Sequence, residues 1–180
     1  IFTRIKYSVH LKLSFMNKLF LVDLVSFIAL HACIQEKQVS PHETATGSGV
    51  SVRYGRPFKK GRDIFGGLVP YNKVYRLGAD SATTITFDKD VEFAGKPVKA
   101  GTYTLFVIPN KESWTIILNG QLGQWGAYSY DKYKDRDILH VDVPVKKTDK
   151  VVEQLTISFP ESSMLIEWDR TQVIVPVRFS

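Results

Sequence analysis

Downstream of Cys33 the chain never sustains a 3.6-residue apolar period; its apolar residues come in short runs that alternate every second position. Val50, Val52 and Tyr54 alternate with Ser51 and Arg53. Ala82–Phe87 is rich in threonine and isoleucine, and Gly101–Ile108 faces Trp114–Leu118 across the turn-rich stretch Pro109–Glu112. Val91–Val98 carries a hairpin-like turn, with Pro97 suited to an edge. Leu139, Val141, Val143 and Val145 alternate cleanly, Leu155, Ile157 and Phe159 repeat the pattern, and Val173, Val175 and Val177 close it after a charged turn at Asp169-Arg170. Short, evenly punctuated strands predict an all-β domain over residues 50–180, an antiparallel β-sandwich of jelly-roll-like kind with about eight strands.

Two stretches break this rhythm. The first, Arg56–Phe87, holds Gly61, Gly66, Gly67 and Gly78, two prolines, and the cations Arg56, Lys59, Lys60, Arg62, Lys73 and Arg76, with no regular period before Ala82. Long loops inside compact domains are functional or disordered. Phe58, Ile64, Phe65, Leu68, Val69, Tyr71 and Tyr75 supply the apolar anchors that disordered segments lack, so this loop is expected to be ordered. The second, Gly120–Asp137, carries Trp125, Tyr128, Tyr130 and Tyr133.

The run RPFKKGRDIFGGLVPYNKVYRLGAD, followed by ATTITF, AGTYTLFVIP and GQWG and preceded by SPHET, resembles a bacterial domain family of unknown function, DUF2911. The resemblance extends from about Ser40 to the C-terminus. Asn72 stands where the family pattern carries glycine and Tyr75 where it carries tryptophan, and TATGSG (44–49) is shorter than the strand-like segment expected there. The resemblance implies an envelope-associated bacterial β domain and brings no assigned activity.

The N-terminal part reads as an export signal. Met16-Asn17-Lys18 precedes an apolar run from Leu19 to Leu30, interrupted by Asp23 and Ser26 and too short to span a membrane. Leu30-His31-Ala32-Cys33 is similar to a lipobox, which would make Cys33 the lipidated residue of a lipoprotein-type signal peptide over 16–33. Residues 1–15 then read as upstream translation and residues 34–49 as a polar tether. The expected location is the bacterial cell envelope, with the protein exported and anchored to a membrane facing the periplasm or the cell surface. Of the net charge of +6, +3 lies before Cys33, which leaves too little positive charge for a nucleic-acid surface. A single cysteine removes disulfide stapling and multi-cysteine metal sites from consideration.

Candidate ligand-binding residues come from the two loops. Arg56, Lys60, Arg62, Lys73 and Arg76 could converge on a carboxylate or phosphate, arginine offering planar two-pronged geometry to such oxyanions. The plain alternative pairs Arg62 with Asp63 or Asp88, and Arg76 with Asp80. Tyr71, Tyr75, Trp125, Tyr128 and Tyr130 offer flat rings for stacking on sugars, or equally plugs for the core. Asp80 joins the ligand-binding set. No cofactor or metal is expected: His42 and His140 are far apart in sequence, and a metal needs three or four converging ligands. Neither a nucleophile elbow nor a phosphate-cradling loop occurs. The leading expectation is therefore a non-enzymatic, lipid-anchored module that binds a glycan, a cell-wall fragment or a partner protein. A hydrolase using Asp80 or Asp142 with His140, or a purely structural envelope protein, are the alternatives.

Overall fold

The computed structural model describes residues 40–179. The signal segment, Cys33 and residues 34–39 of the expected tether lie outside them. Among the described residues nine strands form one antiparallel sheet in the order β1-β2-β3-β6-β7-β8-β9-β4-β5. They are β1 His42–Gly47, β2 Val50–Gly55, β3 Thr84–Phe87, β4 Val91–Phe93, β5 Lys96–Val98, β6 Gly101–Pro109, β7 Ser113–Asn119, β8 Asp137–Ser158 and β9 Ser163–Phe179. Among the described residues they are interrupted by one short α-helix, α1 (Tyr130–Tyr133), and the 3-10 turn Lys134–Arg136 that follows it.

The sheet folds over into a two-layered, sandwich-like body because nearly every strand sends alternate residues into one apolar cluster. Val52, Ile85, Phe87, Phe93, Leu105, Trp114, Ile157 and Trp168 all belong to it. Strands β6 and β7 are buried on both faces, as their unbroken apolar runs require. Phe106 and Ile117 point away from the main cluster and meet Ala82 and Tyr130, so the second aromatic loop covers the back of the central strands.

Three expectations are corrected. The first strand begins at His42, inside the segment read as tether: His42–Gly47 pairs with β2 in register from His42↔Gly55 to Gly47↔Val50. Its half-buried positions are filled by residues as small as Ala45 and Gly47, so no apolar alternation marks it. The two-residue connection Ser48-Gly49 closes the hairpin with Gly49 at φ 72, a conformation glycine adopts without a steric penalty. The two short strands expected between Leu139 and Phe159 are one 22-residue strand, Asp137–Ser158, irregular between Lys147 and Thr156. Asp169-Arg170 is no turn but a point inside β9 where Asp169 takes φ 55 and accepts an ion pair from Lys59 at 3.2 Å.

The glycine-rich loop is ordered, as its anchors predict. Ile64 and Val69 are buried, and Phe65 wedges against Trp114 and Trp168 with ring centroids 4.8 and 6.1 Å away. Fully burying such a side chain contributes about 1.5–3 kcal/mol, comparable with the roughly 1–2 kcal/mol cost of ordering one residue's backbone. A loop this long therefore needs several anchors and backbone pairing besides. It has both: Asn72 N donates to Pro109 O (2.9 Å), while Tyr75 and Val107 exchange bonds of 2.7 and 3.0 Å, so the loop lines β6 where β3 has ended. On its other side Lys59 N donates to Glu153 O and Leu155 N to Pro57 O, stitching the loop's start to β8.

Candidate functional site

The site is built around a tight turn, Leu77–Asp80, set by close backbone approach. A Cβ on Gly55 would sit 2.5 Å from Ala79 O, so the end of β2 can touch the turn only as glycine. Leu77 (φ 51) and Asp80 (φ 63) both occupy the left-handed region, which costs on the order of 1–3 kcal/mol each and persists only where surroundings enforce it. The enforcement is visible. Thr83 Oγ1, fully buried, donates to Leu77 O at 2.8 Å, and Tyr75 Oη donates to Gly78 O at 2.8 Å.

From this turn Asp80 reaches His42 on β1, with Nε2 and Oδ2 3.3 Å apart. The next residues zip to the second loop: Ser81 bridges Trp125, Ala82 N donates to Gln124 O (3.0 Å) and Gly126 N donates to Asp80 O (3.0 Å). The result is a ridge with a concavity on each side. The larger, about 620 Å³, is lined among others by Arg62, Leu68, Tyr75, Arg76, Asp80 and Tyr128. A smaller hollow, about 210 Å³, is lined among others by His42, Arg53, Ser81, Gln124 and Trp125.

Arg76 is the distinctive group of the larger cleft. Its Nε is buried and has no hydrogen-bond acceptor among the described residues, and its guanidinium lies 5.9 Å from the Tyr75 ring centroid. The expected partner Asp80 is turned to His42 instead. Trp168, which also lines this cleft, has a buried indole N–H likewise without an acceptor. Two unpaired donors beside one cleft make it a place where an acceptor, above all an anionic oxygen, gains most, because buried donors are otherwise nearly always satisfied.

Burial pushes the Tyr75 phenol up to about 12, its neighbours Arg76 and Gly78 acting in the opposite direction. The unfolded phenol ionises near 10. Neutral Tyr75 thus contributes stability that is complete below pH 10 and is lost as pH rises from 10 to about 12. Tyr75→Phe is expected to flatten the fall of melting temperature across that window, and to cost about 1 kcal/mol at neutral pH through the lost bond to Gly78. An unchanged alkaline slope would contradict the assignment.

The other expected residues fall as follows. Arg62 lines the cleft, but its guanidinium also donates to Lys59 O (2.9 Å) and Phe58 O (2.5 Å) rather than to Asp63 or Asp88. Tyr128 is 83% exposed at the rim and Trp125 is 63% exposed beside the smaller hollow, so neither is a core plug. Arg56 is not brought to the site: it binds Glu43, Leu155 O and Thr156 Oγ1, tying β1 and β2 to β8. Lys60 sits on an exposed turn at φ 49, Lys73 is exposed away from both concavities, and Tyr71 packs over Gly66. His140 pairs with Asp137 (2.7 Å) and Asp142 accepts from Thr115 Oγ1 (2.6 Å), so neither joins Asp80. Among the described residues no group of three or more His, Cys, Asp or Glu could hold a metal. Gln124 and His42 were not among the expected ligand-binding residues; the GQWG motif was the only pointer to the former.

A family model described as a protein of unknown function, DUF2911, matches residues 36–177. The chain belongs to this family. No curated protein and no solved structure matches it. In this DUF2911 domain Asn72 has φ 58, which asparagine tolerates better than most residues, and its Oδ1 accepts from Asn110 Nδ2 at 3.2 Å.

Proposed function

We propose that this DUF2911 domain is a non-enzymatic binding module for an acidic glycan, held in the bacterial envelope by a lipid on Cys33. The observation that carries the binding reading is Arg76, whose buried Nε lacks an acceptor beside an open cleft. Arg62 adds a second cation, and the exposed ring of Tyr128 gives a flat wall on which a sugar face can lie. Two features favour binding over hydrolysis. Asp80 is engaged by His42, and neither Asp142 nor His140 lines the cleft, so the paired carboxylates that glycoside cleavage uses are not assembled.

A thermal-shift titration of the purified protein with glucuronic acid and N-acetylmuramic acid, beside glucose and N-acetylglucosamine, tests this reading. The acids are expected to raise the melting temperature in a concentration-dependent way and the neutral sugars to do so weakly. Equal shifts from acids and neutral sugars would remove the role given to Arg76. The anchor rests on the order of Lys18, the apolar run and Leu30-His31-Ala32-Cys33. Expressed in a bacterium, the protein is expected in the detergent-soluble membrane fraction, and Cys33→Ser is expected to release it; a variant that stays in the membrane argues against lipidation.

A further inference from the structure

The smaller hollow carries its own signature of a ligand, different from that of the cleft. Gln124 is only 5% exposed, and its amide nitrogen is used up on Asn119 Oδ1 (3.2 Å) and Gln121 O (3.0 Å). That fixes which way the amide points. It leaves Oε1 buried with no donor among the described residues, in a residue that lines the hollow. The cleft thus holds buried donors without an acceptor while the hollow holds a buried acceptor without a donor, and the consecutive residues Asp80 and Ser81 line one each. Beside Gln124 stands Trp125, largely exposed and lining the hollow, and Arg53 in the same lining can supply N–H donors.

We infer that the hollow is a second subsite, resting on the acidic-glycan reading of the cleft, and that it takes a neutral acetamido sugar joined to the acidic residue that Arg76 holds. An acetamido group carries one N–H donor and one carbonyl acceptor. The N–H answers Gln124 Oε1, and the carbonyl suits Arg53, while the ring's C–H face stacks on Trp125. A second carboxylate could answer Arg53 but would leave Gln124 Oε1 without a donor, whereas an acetamido group answers both. The ligand class is therefore a saccharide of at least two rings, one carboxylated and its neighbour N-acetylated. A cell-wall disaccharide and a glycosaminoglycan-type disaccharide share this chemistry.

Titration calorimetry on the intact protein separates the possibilities, with four probes: N-acetylmuramic acid, its β-linked disaccharide with N-acetylglucosamine, glucuronic acid, and its disaccharide with N-acetylglucosamine. At least one disaccharide is expected to bind tenfold or more tightly than its acidic monosaccharide, and which one does so identifies the source. Trp125→Ala is expected to erase that advantage while leaving the acidic monosaccharide unchanged, and Trp125→Phe to restore most of it. Trp114 and Trp168 are buried, so loss of long-wavelength tryptophan emission on adding the disaccharide, but not the monosaccharide, reports contact at Trp125. Monosaccharide and disaccharide binding alike, or Trp125→Ala weakening both equally, would overturn the second subsite and leave the acidic cleft standing. Failure of all four probes would overturn both.

Discussion

Gly55→Ala is expected to cost about 3 kcal/mol of unfolding free energy, the upper part of the range for overpacking a well-filled site. The added methyl meets not a side chain that can turn aside but Ala79 O at 2.5 Å and Ala79 N at 3.0 Å. That backbone cannot retreat freely, because Thr83 and Tyr75 hold the carbonyls of Leu77 and Gly78 from behind. Either the end of β2 lifts from the sheet or the turn shifts and carries Asp80 away from His42. For a domain of this size the loss corresponds to a drop in melting temperature on the order of 10 °C. Gly120→Ala is the matched control: its added methyl would meet only ordinary contacts at 3.5 Å or more, and its expected change is within about 0.5 kcal/mol. Equal effects of the two substitutions would mean that close approach at Gly55 does not set the turn.

The fold class was legible in the sequence because large inward residues alternate, and the site only partly so because distant strands decide which groups pair. Alternation announces a strand when the inward residues are large, as in β2 and β9, and is silent when they are Ala45 and Gly47. Asp169-Arg170 has turn chemistry, yet what the chain uses there is aspartate's tolerance of positive φ to deform a long strand without ending it. Order in the glycine-rich loop could be read from Ile64, Phe65 and Val69, because an apolar side chain has one way to gain. A cation has several. Arg56 and Arg76 look alike in sequence, and only pairing fixed by distant strands separates them: the partners of Arg56 lie 13 and about 100 residues away, on β1 and β8. His42 reaches Asp80 across 38 residues only because β1 exists. The GQWG motif marks Gln124, but not its buried oxygen without a donor among the described residues, which no residue pattern encodes.

Arg76→Leu is expected to weaken binding of the acidic sugar by about 10–100-fold while leaving the free protein as stable as before, or more so. The two halves have one cause. A buried donor without an acceptor carries a desolvation cost of about 1–3 kcal/mol that leucine does not, and leucine retains part of the arginine stem's packing against the cleft wall. Against that gain stands the guanidinium's attraction to the Tyr75 ring, about 0.5–1 kcal/mol at such a site. The net change in the unliganded melting temperature is therefore small and upward. With ligand the sign reverses, because hydrogen bonds to a charged group contribute about 1.5–3 kcal/mol, and of the about 2.7 kcal/mol by which a ligand at 100 times its Kd stabilises the native state, a variant binding 10–100-fold more weakly forgoes about 1.3–2.3 kcal/mol. Arg62→Leu should behave oppositely in the free protein: its guanidinium caps Phe58 O and Lys59 O, so its loss lowers stability even without ligand. A structural arginine loses stability on substitution and a ligand-binding one loses only affinity. Arg76→Leu melting several degrees below the wild type in the absence of sugar would place Arg76 in the first class and remove the group on which the binding reading rests.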